Sequence, residues 1–264
     1  MRKADIGMNY STRSDLKKAL ISPRLFLSAT VVFIILIRSM INYHVLLWHM
    51  FDRLYLLTIP MALSGFVPFA AIFAVIPYST SFCDDYNSGY IKVILSRIGS
   101  KRYMNTRILS VAISGAAAIG IPFFIIFSLI SLIGIPTTQE NLSQFYLGLS
   151  WLPFVAIGGG TLVLAAKLLL SILFGAVWAL VGLSVSSWFT NRYVTIIAPF
   201  VLYQGLWILL QGSPYNPLGM LRGDFGLTGA FVGSYPYVLL YQTTCIVLLV
   251  LLIKFGMRKR LKNV

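Results

Sequence analysis

Six long apolar runs dominate the sequence and decide what it can fold into. A helix that crosses the hydrocarbon core of a bilayer needs about 20 consecutive apolar residues, within a range of about 17 to 25. The runs are Leu25–Ile41, Tyr55–Tyr78, Ile108–Ile135, Leu162–Phe189, Val194–Leu210 and Tyr237–Ile253. They predict an all-α, polytopic membrane protein with six transmembrane helices, built as a single transmembrane domain over residues 1–264 with no soluble domain attached.

The composition excludes a water-soluble protein. Hydrophobic residues make up 58% of the chain, charged residues only 11%, and the mean hydropathy is +0.84. A soluble domain carries roughly 25% charged residues. The chain therefore has too little charge to cover a surface that faces water.

The basic residues predict the orientation of the chain. All but four of the 21 Lys and Arg fall in the two ends and in the loops of one side. Lys and Arg collect on the cytoplasmic side of membrane proteins, so both termini are predicted to be cytoplasmic. The net charge of +14 is explained in this way. Nucleic acid is excluded as a partner, because no basic soluble domain exists to contact phosphates.

Two segments outside the spans have predicted structure. In residues 1–24, Ser14-Asp15 is typical of a helix start, and the residues that follow place apolar and basic side chains on opposite faces. This favours an amphipathic helix on the inner membrane surface, the alternative being a disordered basic lead. In the outer connection 136–161, the apolar stretch Phe145–Ile157 is too broken for a span and predicts a re-entrant or interfacial segment.

The sequence lacks the residues that most membrane enzymes and pumps need. Its one glutamate is Glu140, its two histidines are His44 and His49, and no predicted span contains Asp or Glu. The zinc-protease motif His-Glu-x-x-His and the phosphate-binding loop Gly-x-x-x-x-Gly-Lys-Ser/Thr are both absent. We therefore expect no catalytic residue, metal site or cofactor in this chain. If the protein moves a compound uphill, the energy must come from another subunit.

Residues 82–103, between the second and third runs, form the densest charged region away from the two ends. Two aspartates, Asp84 and Asp85, are followed by Gly89, an apolar run and a basic cluster. The pattern fits a helix that docks on a soluble partner. It fits equally an inner loop whose acids cap a helix and whose bases meet lipid headgroups.

A family resemblance distinguishes these two interpretations. The stretch Phe-Cys-Asp-Asp-Tyr-Asn-Ser-Gly at 82–89, followed by Ile-Leu-Ser-Arg-Ile-Gly-Ser-Lys-Arg-Tyr at 94–103, resembles the inner-loop signature of ABC-2-type transporter permeases. The chain departs from that signature in having Asp-Asp where Glu is usual and Ile98-Gly99 where a Pro-containing turn is common. The similarity extends to the amphipathic lead, the six spans and the broken outer segment.

The resemblance implies a function. The chain would be the membrane subunit of a bacterial ABC exporter, located in the cytoplasmic membrane and paired with a second permease subunit, identical or homologous. Separate ABC ATPase subunits would bind ATP and Mg. The exported molecule would be a peptide, an antibiotic or a lipid-like compound. The alternative is a membrane scaffold or immunity protein that sequesters a toxic peptide without transport.

The resemblance also implies site residues. The predicted ATPase-docking residues are Phe82, Asp84, Asp85, Tyr86, Gly89, Lys92, Leu95, Arg97, Lys101 and Arg102. Polar residues of the fifth and sixth runs are candidates for a translocation path, namely Tyr203, Gln204, Tyr241, Gln242 and Thr244. Lys167, near the outer end of the fourth run, is expected either to reach the lipid headgroups with its amine or to have a functional role inside the membrane.

Overall fold

A computed structural model describes residues 3–46, 53, 56, 64–136, 160–211, 215–217, 220 and 235–262. Nine helices lie wholly within these ranges. They are α1 (Lys3–Leu20), α2 (Pro23–Leu46), α3 (Phe66–Val75), α4 (Ser81–Asn87), α5 (Tyr90–Ile98), α6 (Ser100–Ile133), α7 (Thr161–Trp188), α8 (Arg192–Leu209) and α9 (Tyr235–Leu261).

Five of these helices are long and apolar enough to cross a membrane. Their spanning parts are Pro23–Asn42, Ser100–Ile133, Thr161–Trp188, Arg192–Leu209 and Tyr235–Leu261. The protein is therefore a multi-pass helical membrane protein, as the apolar runs predict. Each of the five contains most of one predicted run.

The second predicted run, Tyr55–Tyr78, has a different outcome. The helix that the structure describes within it is the ten-residue α3, which at 1.5 Å per residue is about 15 Å long and too short to cross the hydrocarbon core alone. The chain then turns over residues 76–80 and enters α4. Residues 57–63 lie outside the described part of the chain, as does the predicted outer segment Phe145–Ile157, so the count of six spans stays a prediction.

The predicted helix start at Ser14-Asp15 is wrong. Helix α1 begins at Lys3 and contains both residues in its interior. Asp15 forms a tertiary ion pair with Arg107 instead of capping a helix. Helix α1 ends at Leu20, and Pro23 opens α2, a position where its missing N–H costs no helix hydrogen bond.

Helices α6 and α7 form the centre of the bundle. They approach so closely at Gly115 and Gly175 that a Cβ atom on Gly115 would overlap Ala179 and the carbonyl oxygen of Gly175. Small residues allow such contact between helices in lipid, where packing replaces the hydrophobic effect as the driving force. The main apolar cluster surrounds this pair and includes Phe66, Phe123 and Trp178.

A second apolar cluster lies at one end of the bundle, where α4 and α5 pack on α6, α7 and α9. Its buried members include Phe82, Ile91, Tyr103 and Leu183. The basic last turn of α9 reaches the same end, where Arg260 donates to the carbonyl oxygen of Trp188 and lies over the ring of Tyr86. We call this the basic end of the bundle.

Candidate partner-docking site at the basic end

Two short helices joined by glycines form the segment 82–103. Gly89 separates α4 from α5 with φ of 71°, and Gly99 separates α5 from α6 with φ of 76°. A side chain at either position would strain the backbone, because positive φ favours glycine. The glycines therefore set α5 off as a separate helix that projects from the start of a long span.

Arg107 holds this segment to the rest of the protein. It lies one turn after Tyr103 in α6, its side chain is 6% exposed, and it forms an ion pair with Asp85 of α4. A second ion pair, at 3.4 Å, joins Arg107 to Asp15 of α1. The hydroxyl of Tyr103 donates to Asp85 at 2.8 Å. These residues, together with Tyr78, are called the arginine cluster.

Tyr78 completes the arginine cluster from the turn after α3. Its hydroxyl donates to Asp15 at 2.8 Å and accepts a 2.8 Å hydrogen bond from Arg107. The Arg107 guanidinium also lies 5.2 Å from the ring centres of Tyr78 and Tyr103, within the range of cation–π attraction.

Asp84 connects the segment to two further helices. Its side chain is 28% exposed and pairs with Arg24 of α2 and Arg192 of α8. Arg24 also donates to Thr80 at 3.2 Å. The neighbouring acids thus point to different partners: Asp85 ties α4 to α6, and through Arg107 to Asp15 of α1, while Asp84 ties α4 to α2 and α8. A displacement of α4 must act on four helices, three of which are membrane-spanning.

One face of α5 remains open to solvent or to a partner. Ile91 is buried, and Ile94, Leu95 and Ile98 are half-buried against the second apolar cluster. The opposite face consists of Tyr90 at 49% exposure, Val93 at 44%, and the exposed residues Lys92, Ser96 and Arg97. The apolar face of α5 is thus covered by protein, whereas a helix lying on a membrane would bury its apolar face in lipid.

The predicted docking residues therefore divide into two groups. Phe82, Leu95 and Tyr86 are buried or half-buried against the protein, and both aspartates are engaged in ion pairs. The remaining five are exposed or half-exposed, and these are Gly89, Lys92, Arg97, Lys101 and Arg102. The docking role of the whole set stays a prediction, and its accessible part is glycine and cations.

Sequence reasoning missed Asp15, Tyr78, Arg24, Arg107 and Arg192 as members of this site. Arg107 carried a usable signal, since it is the last charged residue before a long apolar run. A buried charge at that border needs a partner of opposite sign. The acids that could supply it are separated from it by 22 and 92 positions, so spacing along the chain could not identify the pairs.

The candidate path residues mostly bond to backbone groups. Tyr203 and Gln242 are fully buried, and Gln242 donates to the carbonyl of Met220 at 2.7 Å. Gln204 donates to the carbonyl of Pro68 at 2.7 Å, and Thr244 to that of Leu240 at 2.7 Å. Tyr241 donates to the carbonyl of Tyr215 at 3.2 Å. These bonds stabilise packing between helices or within one helix, and the path stays a prediction.

The remaining groups that could take part in chemistry are a buried lysine, potential metal ligands and a cysteine. Lys167 is 8% exposed within α7, so it lies inside the protein. Among the described residues no group of three or more His, Cys, Asp and Glu side chains could hold a metal ion. Cys83 is buried beside Thr195, with the sulfur 3.4 Å from the threonine oxygen.

The fold and this cluster define a class of protein: a multi-pass helical membrane protein with a short helix pair fastened by arginine–carboxylate pairs to the ends of its spans. Comparison of the chain with protein-family models, with curated proteins and with solved structures finds no match.

Proposed function

We propose that this chain is the membrane subunit of an ATP-driven exporter of the ABC-2 type, and that α5 docks on a separate cytoplasmic ATPase. The sixth span would be completed by residues 55–78, which include α3. An even number of spans would place both termini, and with them the basic end, on the cytoplasmic side. Export would concern a peptide, an antibiotic or a lipid-like compound.

One observation carries the proposal. The helix pair α4–α5 is tied through Asp84 and Asp85 to α1, α2, α6 and α8, while the outer face of α5 is left uncovered by the described residues. A load applied to that face would be passed to α6 through the buried pair of Asp85 with Arg107, and to α2 and α8 through the more exposed pairs of Asp84 with Arg24 and Arg192. Short packed elements of this kind can move attached helices as rigid bodies.

The contacts within the segment support different roles for its residues. Asp85 faces Arg107 inside the protein, so it is a positioning residue that holds α4 against α6. Contact with the ATPase would fall to Tyr90, Lys92 and Val93 on the exposed face of α5. Charge reversal of Asp85 is therefore a poor test of docking, because it would break the arginine cluster and the fold together.

The test uses the exposed face. The chain is reconstituted in proteoliposomes with an ABC ATPase from the same genome, and stimulation of ATP hydrolysis is measured. We expect the double variant K92E/V93D to lose stimulation by about tenfold, the equivalent of 1.4 kcal/mol of docking free energy.

The matched control is R258E, which alters an exposed cation in the last turn of α9 at the same end of the bundle. It should change stimulation by less than about twofold, as surface substitutions usually do. If K92E/V93D hydrolyses ATP with the partner as well as the native chain does, α5 is not the docking element. If the native chain never stimulates the ATPase, the transporter assignment itself is wrong.

A further inference from the structure

A cavity of about 430 Å³ opens at the basic end between α1, α4, α5 and the first turns of α6. Its wall contains the three carboxylates whose side chains the structure describes, Asp15, Asp84 and Asp85. All three are paired with arginine, and the arginines involved are Arg24, Arg107 and Arg192. These six charges balance, so the carboxylates have no charge to offer a further cation.

Two additional cations line the same cavity. Lys18 comes from α1 and Arg97 from α5, and both side chains are exposed. Neither makes an ion pair or side-chain hydrogen bond with any residue in the described part of the chain. Because Arg24 and Arg192 pair with Asp84 from outside the lining, Lys18 and Arg97 are left as two positive charges without a counter-charge. Ser81 adds a buried hydroxyl to the wall, and this group has no hydrogen-bond partner among the described residues.

The hydropathy of α6 places the cavity near the level of the lipid headgroups. The first two turns of α6, up to Arg107, carry mostly polar side chains, and the apolar run of the span begins at Ile108. The headgroup layer begins where the hydrocarbon core ends, so the border at Arg107 marks it. Helix α1, which carries Lys18, packs against the same turns through the 3.3 Å contact between Thr12 and Thr106.

We propose that this cavity binds the phosphate group of an anionic phospholipid, with Lys18 and Arg97 as its ligands. A phosphate bound there would neutralise both cations. It would also link α1, which carries Lys18, to α5, which carries Arg97. Arginine and lysine both serve as phosphate ligands, and hydrogen bonds between ionised groups are about twice as strong as neutral ones. The inference does not depend on the exporter function, since any membrane protein with this cavity could use it.

The chain supplies a close control for the test. Lys17 and Lys92 are exposed, lie on the same two helices, and do not line the cavity. The variants K18A/R97A and K17A/K92A remove the same number of charges from α1 and α5. Diffuse attraction to an anionic surface would be weakened equally in both, whereas a phosphate site would be lost only in the first.

Binding of short-chain phosphatidylglycerol to the purified full chain in detergent is measured by native mass spectrometry. We expect K18A/R97A to weaken binding at least about tenfold, and K17A/K92A to stay within about twofold of the native chain. The conservative variant K18R/R97K should retain binding within a few-fold. It also guards against misfolding as the cause, together with circular dichroism of each variant. Equal weakening in the two alanine pairs would overturn the site.

Competing probes identify the source of the phosphate. Phosphatidylcholine should compete poorly, and glycerol 1-phosphate, which lacks acyl chains, should bind at least about tenfold more weakly than the lipid. Equal affinity for glycerol 1-phosphate would overturn the lipid source in favour of a soluble phosphate ester. Binding of a polyglutamate peptide that phosphatidylglycerol does not displace would assign the two cations to an acidic protein partner and would also overturn the proposal.

Discussion

Replacement of Arg107 by methionine should be among the most destabilising single changes at the basic end. Methionine keeps the unbranched stem of the arginine side chain but removes the positive charge that pairs with both Asp15 and Asp85. These carboxylates are only 16% and 18% exposed, so water cannot replace the guanidinium. The variant therefore leaves two like charges close together without compensation.

The size of the effect follows from the geometry. At 3.4 Å and an effective dielectric constant of about 20, the attraction between Arg107 and Asp15 is about 5 kcal/mol before desolvation is subtracted. Burial of the three charges offsets much of this in the native protein. Removing one partner of a buried pair costs about 3–5 kcal/mol, since the other partner stays buried and unpaired. We expect R107M to lower the free energy of unfolding by that amount.

The assay is reversible unfolding of the purified protein in mixed micelles, followed by far-ultraviolet circular dichroism. R102M is the control, because Arg102 lies on the same helix but is half-exposed and should cost less than about 1 kcal/mol. The triple variant D15N/D85N/R107M removes all the charges and should recover at least half of the loss. The reasoning is refuted if R107M and R102M have the same stability, or if the triple variant is less stable than R107M.

Three further predictions use the same unfolding measurement or a labelling assay. G115A should cost about 1–3 kcal/mol by overpacking the contact between α6 and α7, whereas G205A, which meets nothing within 4 Å, should be neutral or stabilising; equal effects would contradict the packing. D85N should cost about 1.5–3 kcal/mol and D84N less than about 1 kcal/mol, the reverse order being inconsistent with their burial. Burial raises the pKa of the Cys83 thiol, so maleimide should modify it at neutral pH only after unfolding, with a rate that rises with pH; rapid labelling of the folded protein, detected by mass spectrometry, would contradict this.

The spans were predictable because their signal is local. Runs such as Leu162–Phe189 are long, free of acids and flanked by polar residues, and the helix Thr161–Trp188 follows the prediction within one residue at each end. The predicted run Ile108–Ile135 begins later than α6 does, because Ser100 to Arg107 are mostly polar and hydropathy marks where lipid begins rather than where a helix does. The proline-rich run Tyr55–Tyr78 predicts one span, and the break at the end of α3 lies beside Pro77, since proline interrupts the hydrogen bonding of a helix.

The arginine cluster was beyond sequence reasoning for a different reason. Asp84 and Asp85 were recognised as unusual, but their partners come from α1, α2, α6 and α8, and pairing between helices leaves no trace in spacing. Tertiary ion pairs also changed the role of Asp15 from a helix cap to a partner of Arg107. The exposed face of α5 was partly predictable, because Ile91, Ile94, Leu95 and Ile98 follow the period of a helix face.

Cysteine labelling on α5 tests the central claim most directly, namely that this helix is displayed on the cytoplasmic side with one face free for a partner. V93C should react with a membrane-impermeant maleimide in inside-out vesicles and not in intact cells, whereas I91C, whose side chain is buried, should resist in both. The native chain, with both cysteines buried or half-buried, gives the background. Labelling of V93C from outside intact cells, or equal labelling of the two positions, would contradict the account.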